Sequence, residues 1–264
     1  MKTNTPRNTI LIIILSFVLY YLLFLNFKPL KTSLDQITNQ GLVSYILTYF
    51  IVGLPIFVGT YLINKSRNIF KLLGLGANLG TGICTSALFT LPMFIGGLLF
   101  FDFNPHLDIQ NLIAATIIAG FMEELYFRGF LFGQIFRKTN LGFLSSIFIG
   151  ALIFACGHLY QSQDIAELMG IFMITFSGAI LFAWLFVEWN YNLWVPIFTH
   201  TLMNLSWNIF EISSSALGDL KANIFRGLTI IFAILFTVLY KKRRNQKLLI
   251  TKHSLIRKEK NNLK

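Results

Sequence analysis

The chain consists of long apolar runs separated by short polar segments. Eight runs approach the roughly 20 residues that an α-helix needs to cross a bilayer. They cover residues 10–25, 42–63, 82–101, 109–132, 141–159, 165–186, 193–210 and 224–240. Segments of about ten residues with alternating polarity, which are typical of a membrane β-barrel, do not occur in this pattern. The pattern therefore predicts an all-α, polytopic membrane protein built as a bundle of about eight transmembrane helices.

Composition agrees with this prediction. Hydrophobic residues make up 55% of the 264 positions and charged residues only 12%. Such a chain is too apolar to be a soluble domain of this length. The first run could be taken for a secretory signal, but no small-residue cleavage site follows it before Pro29. We therefore expect a retained first helix.

Basic residues predict the orientation. If the N-terminus is cytoplasmic, 17 of the 22 Lys and Arg residues fall in segments on that side, ten of them in residues 241–264. This bias predicts an integral plasma membrane protein with both termini in the cytoplasm. The net charge of +11 is concentrated in that basic tail, which we expect to contact anionic membrane lipid. Nucleic acid is therefore not an expected partner.

The two cysteines carry no recognisable chemistry. Cys84 and Cys156 lie in separate apolar runs and form no CxxC pair. Neither a disulfide framework nor a zinc knuckle is indicated. We expect two buried free thiols.

Charged residues interrupt the fourth run. A carboxylate or guanidinium at the centre of a bilayer costs about 2.5 to 3.5 kcal/mol on insertion scales, so charges kept there usually serve a function. Glu124 and Arg128 are four positions apart, and on a helix they share a face and can form an ion pair. Glu123 is rotated by about 100° and has no local cation. This asymmetry favours Glu123 as a general base.

Two more runs carry imidazoles. His158 follows Phe154 by four positions in the fifth run, and Asn204 follows His200 by four positions in the seventh. Each pair is expected to share a helix face. We expect polar side chains from three helices to converge on one hydrated chamber within the membrane.

The patterns Glu-Glu-x-x-x-Arg, Phe-x-x-x-His and His-x-x-x-Asn, in this order and each in an apolar helix, resemble the CAAX protease and bacteriocin-processing family of intramembrane endopeptidases. The resemblance implies that Glu123 activates a water with help from His158, and that His200 and Asn204 stabilise the oxyanion. Glu124, Arg128 and Phe154 would be supporting residues. The short connections between the runs predict a single membrane domain, with residues 1–108 forming the first three helices, 109–240 the catalytic core and 241–264 the basic tail.

Other readings of the same residues stay open. Glu123, His158 and His200 supply one carboxylate and two imidazoles, a ligand set of catalytic zinc, although metal-free chemistry without a cofactor is preferred. A proton-coupled transporter also uses acids and histidines in the membrane, but the two halves of the chain show no convincing repeat. A third reading is a non-catalytic immunity protein that only binds a peptide.

The substrate is defined only by class. We expect a peptide or a membrane protein, and the resemblance implies peptide or bacteriocin processing or self-immunity. No feature of the sequence indicates that the substrate is prenylated, although the 28 phenylalanines could line a groove for lipid.

Overall fold

The computed structural model describes residues 5–257 and is all-α, which confirms the predicted fold class. Ten helices and no strand occur in this part of the chain. The helices are α1 (Pro6–Phe24), α2 (Phe27–Thr38), α3 (Gly41–Asn64), α4 (Ile69–Leu72), α5 (Leu79–Phe100), α6 (109–138), α7 (Phe143–Cys156), α8 (Ile165–Glu188), α9 (Trp194–Ile209) and α10 (Leu220–Arg243).

Polar side chains mark where the helices begin. The carboxylate of Asp219 accepts a hydrogen bond from the backbone N–H of Ala222 at 2.8 Å, which satisfies one of the four N–H groups left free at the start of α10. The same type of cap begins four other helices, with Thr5 at α1, Asn78 at α5, Asp108 at α6 and Asp164 at α8.

Six helices within residues 5–257 are long and apolar enough to cross a membrane, namely α1, α3, α5, α8, α10 and the stretch Phe143–Gln161 that contains α7. Large apolar side chains are exposed along their outer faces, as at Leu15 and Leu98. This arrangement suits lipid contact. The other two predicted runs are the helices α6 and α9, which carry the charged and polar residues. A count of eight crossings stays a prediction.

α6 is not a uniform α-helix. It alternates between α-helical and π-helical turns, with π-helix at Ala114–Ile118 and Glu124–Phe132. π-Helical turns are rare and occur often at functional sites. The second of them begins at Glu124 and includes Arg128, and all of its side chains except that of Phe127 are buried.

α5 and α9 are held together by hydroxyl groups. The Ser86 hydroxyl donates to the carbonyl of Val195 at 2.9 Å and lies 2.9 Å from the hydroxyl of Thr199. A Cβ at Gly82 would lie only 2.8 Å from the backbone carbon of Trp194, so the two helices approach closely there. Small and hydroxylated residues are common where membrane helices pack. This contact fixes the position of α9.

α2 was not among the predicted runs. It is a short helix with no buried residue, and it connects α1 to α3. Lys31 donates to the carboxylate of Asp35 at 2.6 Å, and this hydrogen bond lowers the pKa of Asp35. Its polar composition and length indicate that it does not cross the membrane.

The basic tail is partly folded, as far as residue 257. The carboxylate of Glu188, at the end of α8, pairs with Lys241 and accepts hydrogen bonds from the backbone N–H groups of Leu249 and Ile250 at 3.0 and 2.8 Å. Glu188 and Lys241 are both buried. The chain therefore reverses after α10 and is tied to α8. Residues 258–264, the end of the predicted tail, lie outside the described residues, as does Lys2.

Further along, the tail covers the start of α7. The carbonyl of Ile256 accepts from the N–H of Gly142, and that of Leu255 from the N–H of Leu144, both at 2.8 Å. No side chain caps α7. The tail therefore satisfies N–H groups that this helix leaves free.

The prediction of buried thiols was wrong. Cys84 and Cys156 are free but exposed on the surface of the bundle. Both lie in candidate membrane spans, where an apolar run does not distinguish a residue that faces other helices from one that faces lipid.

Candidate functional site

A buried ion pair between α6 residues lies at the centre of the site. The side chains of Glu124 and Arg128 are fully buried, with Glu124 Oε1 3.0 Å from Arg128 Nη1. The i,i+4 pair expected from the sequence is therefore present. The same Oε1 lies 2.9 Å from His200 Nδ1 on α9. Glu124 thus connects two helices, a contact that the spacing within one run could not reveal.

Aromatic rings surround the buried guanidinium. The Arg128 Cζ atom lies 4.4 Å from the centroid of the Phe154 ring and 5.4 Å from that of the Phe182 ring. Such cation–π contacts stabilise a cation that is removed from water. Phe182 also stacks on the His200 ring, with centroids 5.0 Å apart. Sequence reasoning missed Phe182, because nothing distinguishes it among the phenylalanines of an apolar run.

Glu123 has a different environment from Glu124. Its side chain is 25% exposed, and its Oε2 lies 3.8 Å from His200 Nε2. The His200 ring is therefore held between two carboxylates, with Nδ1 toward Glu124 and Nε2 toward Glu123. Of the two acids, only Glu123 is partly exposed.

His158 does not lie on a helix, which corrects the prediction. α7 ends at Cys156, and His158 occupies the turn that follows. Its Nδ1–H donates a hydrogen bond to the backbone carbonyl of Phe154 at 2.7 Å. Nε2 is therefore the nitrogen of this ring that remains free. The centroid of its ring lies 4.6 Å from that of the Phe154 ring, and the Phe154 centroid lies 6.3 Å from that of the His200 ring. Among the described residues, His158 forms no hydrogen bond with Glu123.

Asn204 lies one turn after His200 on α9. Its Nδ2 donates to the carbonyl of Ala115, in the first π-helical turn of α6, at 3.4 Å. Its own carbonyl accepts from Asn208 Nδ2 at 2.8 Å. The long first contact leaves the amide near the place where α6 and α9 meet. Glu123 on α6 and His200 and Asn204 on α9 therefore all lie where these two helices face each other.

The alternative zinc ligands, Glu123, His158 and His200, are not grouped as a complete ligand set. Within residues 5–257, no group of three His, Cys, Asp or Glu side chains is arranged to hold a metal ion. Of Glu123, His158 and His200, an ion-pair distance joins only the first and the last. His200 Nδ1 bonds to Glu124 and His158 Nδ1 bonds to the carbonyl of Phe154. Only the Nε2 atoms of the two histidines would therefore be left to bind a metal. We therefore derive no chemical step through zinc.

The segment that carries these residues is similar to a known protein family. A family model described as type II CAAX prenyl endopeptidase Rce1-like matches residues 105–206, a segment that contains every site residue named above. The segment is Rce1-like. It begins just before α6 and ends in α9, so the Rce1-like match covers the site and leaves α1–α5 and α10 outside.

A curated relative supports the same resemblance. The chain is 33% identical over 93 residues to a protein of Bacillus subtilis (strain 168) whose name is "Putative membrane peptidase YdiL". The aligned part makes up 35% of this chain and 34% of the relative, so the alignment spans about a third of each. No solved structure matches the chain significantly.

Proposed function

We propose that the protein is an intramembrane endopeptidase that hydrolyses a peptide bond with a water activated by Glu123. The observation that carries this proposal is the His200 ring held between Glu123 at 3.8 Å and Glu124 at 2.9 Å, inside a bundle of apolar helices. The match of residues 105–206 to an endopeptidase family supports the reaction class.

Glu123 suits the role of general base. It is the acid with access to water, whereas Glu124 is engaged by Arg128 and His200. In the proposed reaction the oxygen of a water bonds to the peptide carbonyl carbon while one of its protons moves to Glu123. The C–N bond then breaks, and the proton passes to the leaving amine. The products are a carboxylic acid, which keeps the second proton of the water, and an amine; transfer of that proton between them gives a carboxylate and an ammonium group.

His200 would stabilise the oxyanion together with Asn204. Its Nδ1 proton is directed to Glu124, so Nε2 can donate only when the ring carries both protons. Asn204 would contribute its Nδ2 after releasing the weak contact with Ala115. The free Nε2 of His158 would accept a hydrogen bond from the attacking water.

Comparison of membrane peptides from cells that express the wild type or Glu123→Gln tests this proposal. We expect a set of peptide termini that disappears in Glu123→Gln and persists in Glu211→Gln, which removes an exposed acid instead. Equal membrane levels of the three proteins are required. Identical peptide termini in all three strains would contradict the proposal.

The substrate is proposed by class, as a peptide or a membrane protein that reaches the site from the bilayer. Peptide or bacteriocin processing and self-immunity are biological roles that the family resemblance favours. Protection of cells from a bacteriocin that persists in Glu123→Gln would instead favour a protein that acts by binding. Processing of a prenylated substrate would require a lipid-modified partner and would be lost when prenylation is blocked.

A further inference from the structure

A cavity lies away from the site, where α5 begins and α8 and α10 end. Its volume is about 260 Å³. At roughly 30 Å³ per water molecule in the liquid, it has room for several waters or for a small polar group. Its walls consist of Ala77, Asn78, Thr81, Glu188, Trp189, Asn190, Asn192, Tyr240, Lys241 and Gln246. Glu188, Trp189, Asn190 and Asn192 belong to the Rce1-like segment and the other lining residues lie outside it, and the proposed reaction uses none of them.

The charges in the cavity wall are already neutralised. The carboxylate of Glu188 receives the Lys241 ammonium and two backbone N–H groups. Asn192 is also engaged, since it donates to the carbonyl of Asn78 and accepts from the N–H of Trp194. These residues therefore form a fixed wall, and they leave little capacity for a ligand.

Other polar side chains of the wall form no hydrogen bond within residues 5–257, and two of them, Asn190 and Gln246, are exposed at its surface. Among the described residues, no hydrogen bond engages the side-chain amides of Asn190 and Gln246 or the hydroxyl of Tyr240. Amides donate and accept, and a phenol does both through one oxygen. The cavity therefore offers neutral groups that match a ligand rich in hydroxyl groups.

The rim of the cavity is positively charged and aromatic. The Arg244 guanidinium lies 5.7 Å from the centroid of the Tyr240 ring, and Tyr240 stacks on Trp189 with centroids 4.9 Å apart. Trp and Tyr favour the membrane interface, and basic residues directly after a membrane helix attract anionic lipids. Lys242 and Arg243 are exposed in the same turn.

We propose that this cavity binds the headgroup of an anionic phospholipid whose headgroup carries hydroxyl groups, as phosphatidylglycerol does. The phosphate lies at the rim beside Arg244, and the hydroxyl groups enter the cavity and bond to Asn190 and Gln246. A choline headgroup has no hydrogen-bond donor, and it carries a positive charge of its own. It therefore fits neither the amides nor the rim.

Thermal unfolding of the purified full-length protein in detergent tests this proposal. Added phosphatidylglycerol should raise the unfolding temperature in a concentration-dependent manner, because a ligand that binds only the folded state stabilises it. Phosphatidylcholine, inorganic phosphate and glycerol phosphate at equal concentrations should leave it nearly unchanged. An equal effect of the two lipids would refute a specific headgroup site, and an equal effect of glycerol phosphate would refute a lipid ligand.

Matched variants distinguish lipid binding in the cavity from attraction of the lipid to the basic residues in general. Asn190→Gly removes one free amide and suits the positive φ of 56° at this position, and Gln246→Ala removes another. Both should weaken the response to phosphatidylglycerol several-fold. Arg244→Gln should weaken it as well, whereas Arg243→Gln, which removes the same charge one residue earlier, should retain most of it. Equal loss in both arginine variants, or full retention in Asn190→Gly and Gln246→Ala, would overturn the proposal.

Discussion

At the scale of single residues, the Glu124 carboxylate links the two charged partners of the site. One oxygen lies 3.0 Å from Arg128 and 2.9 Å from His200, and the Glu124 and Arg128 side chains are fully buried. A buried charge that loses its partner is strongly destabilising. Glu124 therefore has two functions, because it neutralises Arg128 and sets which nitrogen of His200 faces Glu123.

Glu124→Gln should lower the free energy of unfolding by about 3 to 5 kcal/mol, since it leaves the Arg128 charge buried without compensation. Chemical unfolding in detergent measures this loss, and Glu211→Gln serves as the exposed control. The double variant Glu124→Gln/Arg128→Met should recover part of the loss, because it also removes the charge. Wild-type stability of Glu124→Gln would show that Arg128 is balanced in another way.

Asn204→Ala should reduce the turnover of peptide cleavage by about 100 to 1,000-fold, the usual effect of removing one oxyanion donor. KM should change little, because the bond forms mainly in the transition state. Kinetic assays on purified protein measure both quantities. Asn208→Ala removes a neighbouring amide on the same helix and should retain most activity. Equal losses in the two variants would point to a structural role for Asn204.

At the scale of helices, hydrophobic runs predicted most elements, because lipid contact requires long apolar helices. They did not predict α2, whose short polar sequence forms no apolar run. They placed His158 on a helix that ends two residues earlier. The Glu124–His200 contact was also missed, since the four-residue spacing rule relates residues on one helix and carries no information about the helix beside it.

The contact of the tail with α7 provides a test at this scale. A Cβ at Gly142 would lie 2.4 to 2.6 Å from backbone atoms of Leu255 and Ile256. Gly142→Ala should therefore displace the tail and expose residues 245–257 to protease. Limited proteolysis measures the rate of cleavage there.

Gly227→Ala is the matched control, because a Cβ at this position of α10 meets no atom within 4 Å. Alanine also favours the helix, so this variant should be as resistant as the wild type or more so. Equal cleavage of the tail in both alanine variants would show that the tail does not depend on the close approach at Gly142.

At the scale of the whole molecule, residues 5–257 contain six helices that are suited to cross the membrane and two others, α6 and α9, that carry Glu123, Glu124, His200 and Asn204. Composition predicted the membrane location, because 55% hydrophobic residues cannot be buried within a bundle of this size. The orientation stays a prediction from the basic residues. It also determines the side of the membrane on which the tail and the cavity beside Asn190 and Gln246 lie.

Fusion of a reporter that is active only in the cytoplasm to the C-terminus tests the orientation. We expect an active reporter, because ten basic residues follow the start of the tail at Lys241. A reporter that is active only outside the cytoplasm should be silent at the same position. The opposite pattern would invert the proposed topology.

The central claim is that Glu123 activates the water that hydrolyses a peptide bond. Cleavage of a peptide found in the membrane comparison, by protein purified in a chelator, tests this claim most directly. The account predicts cleavage by the wild type and by Glu211→Gln, and none by a folded Glu123→Gln variant. Cleavage by Glu123→Gln at the wild-type rate would contradict it, and wild-type activity that returns only with added zinc would replace the metal-free mechanism with a metal-dependent one.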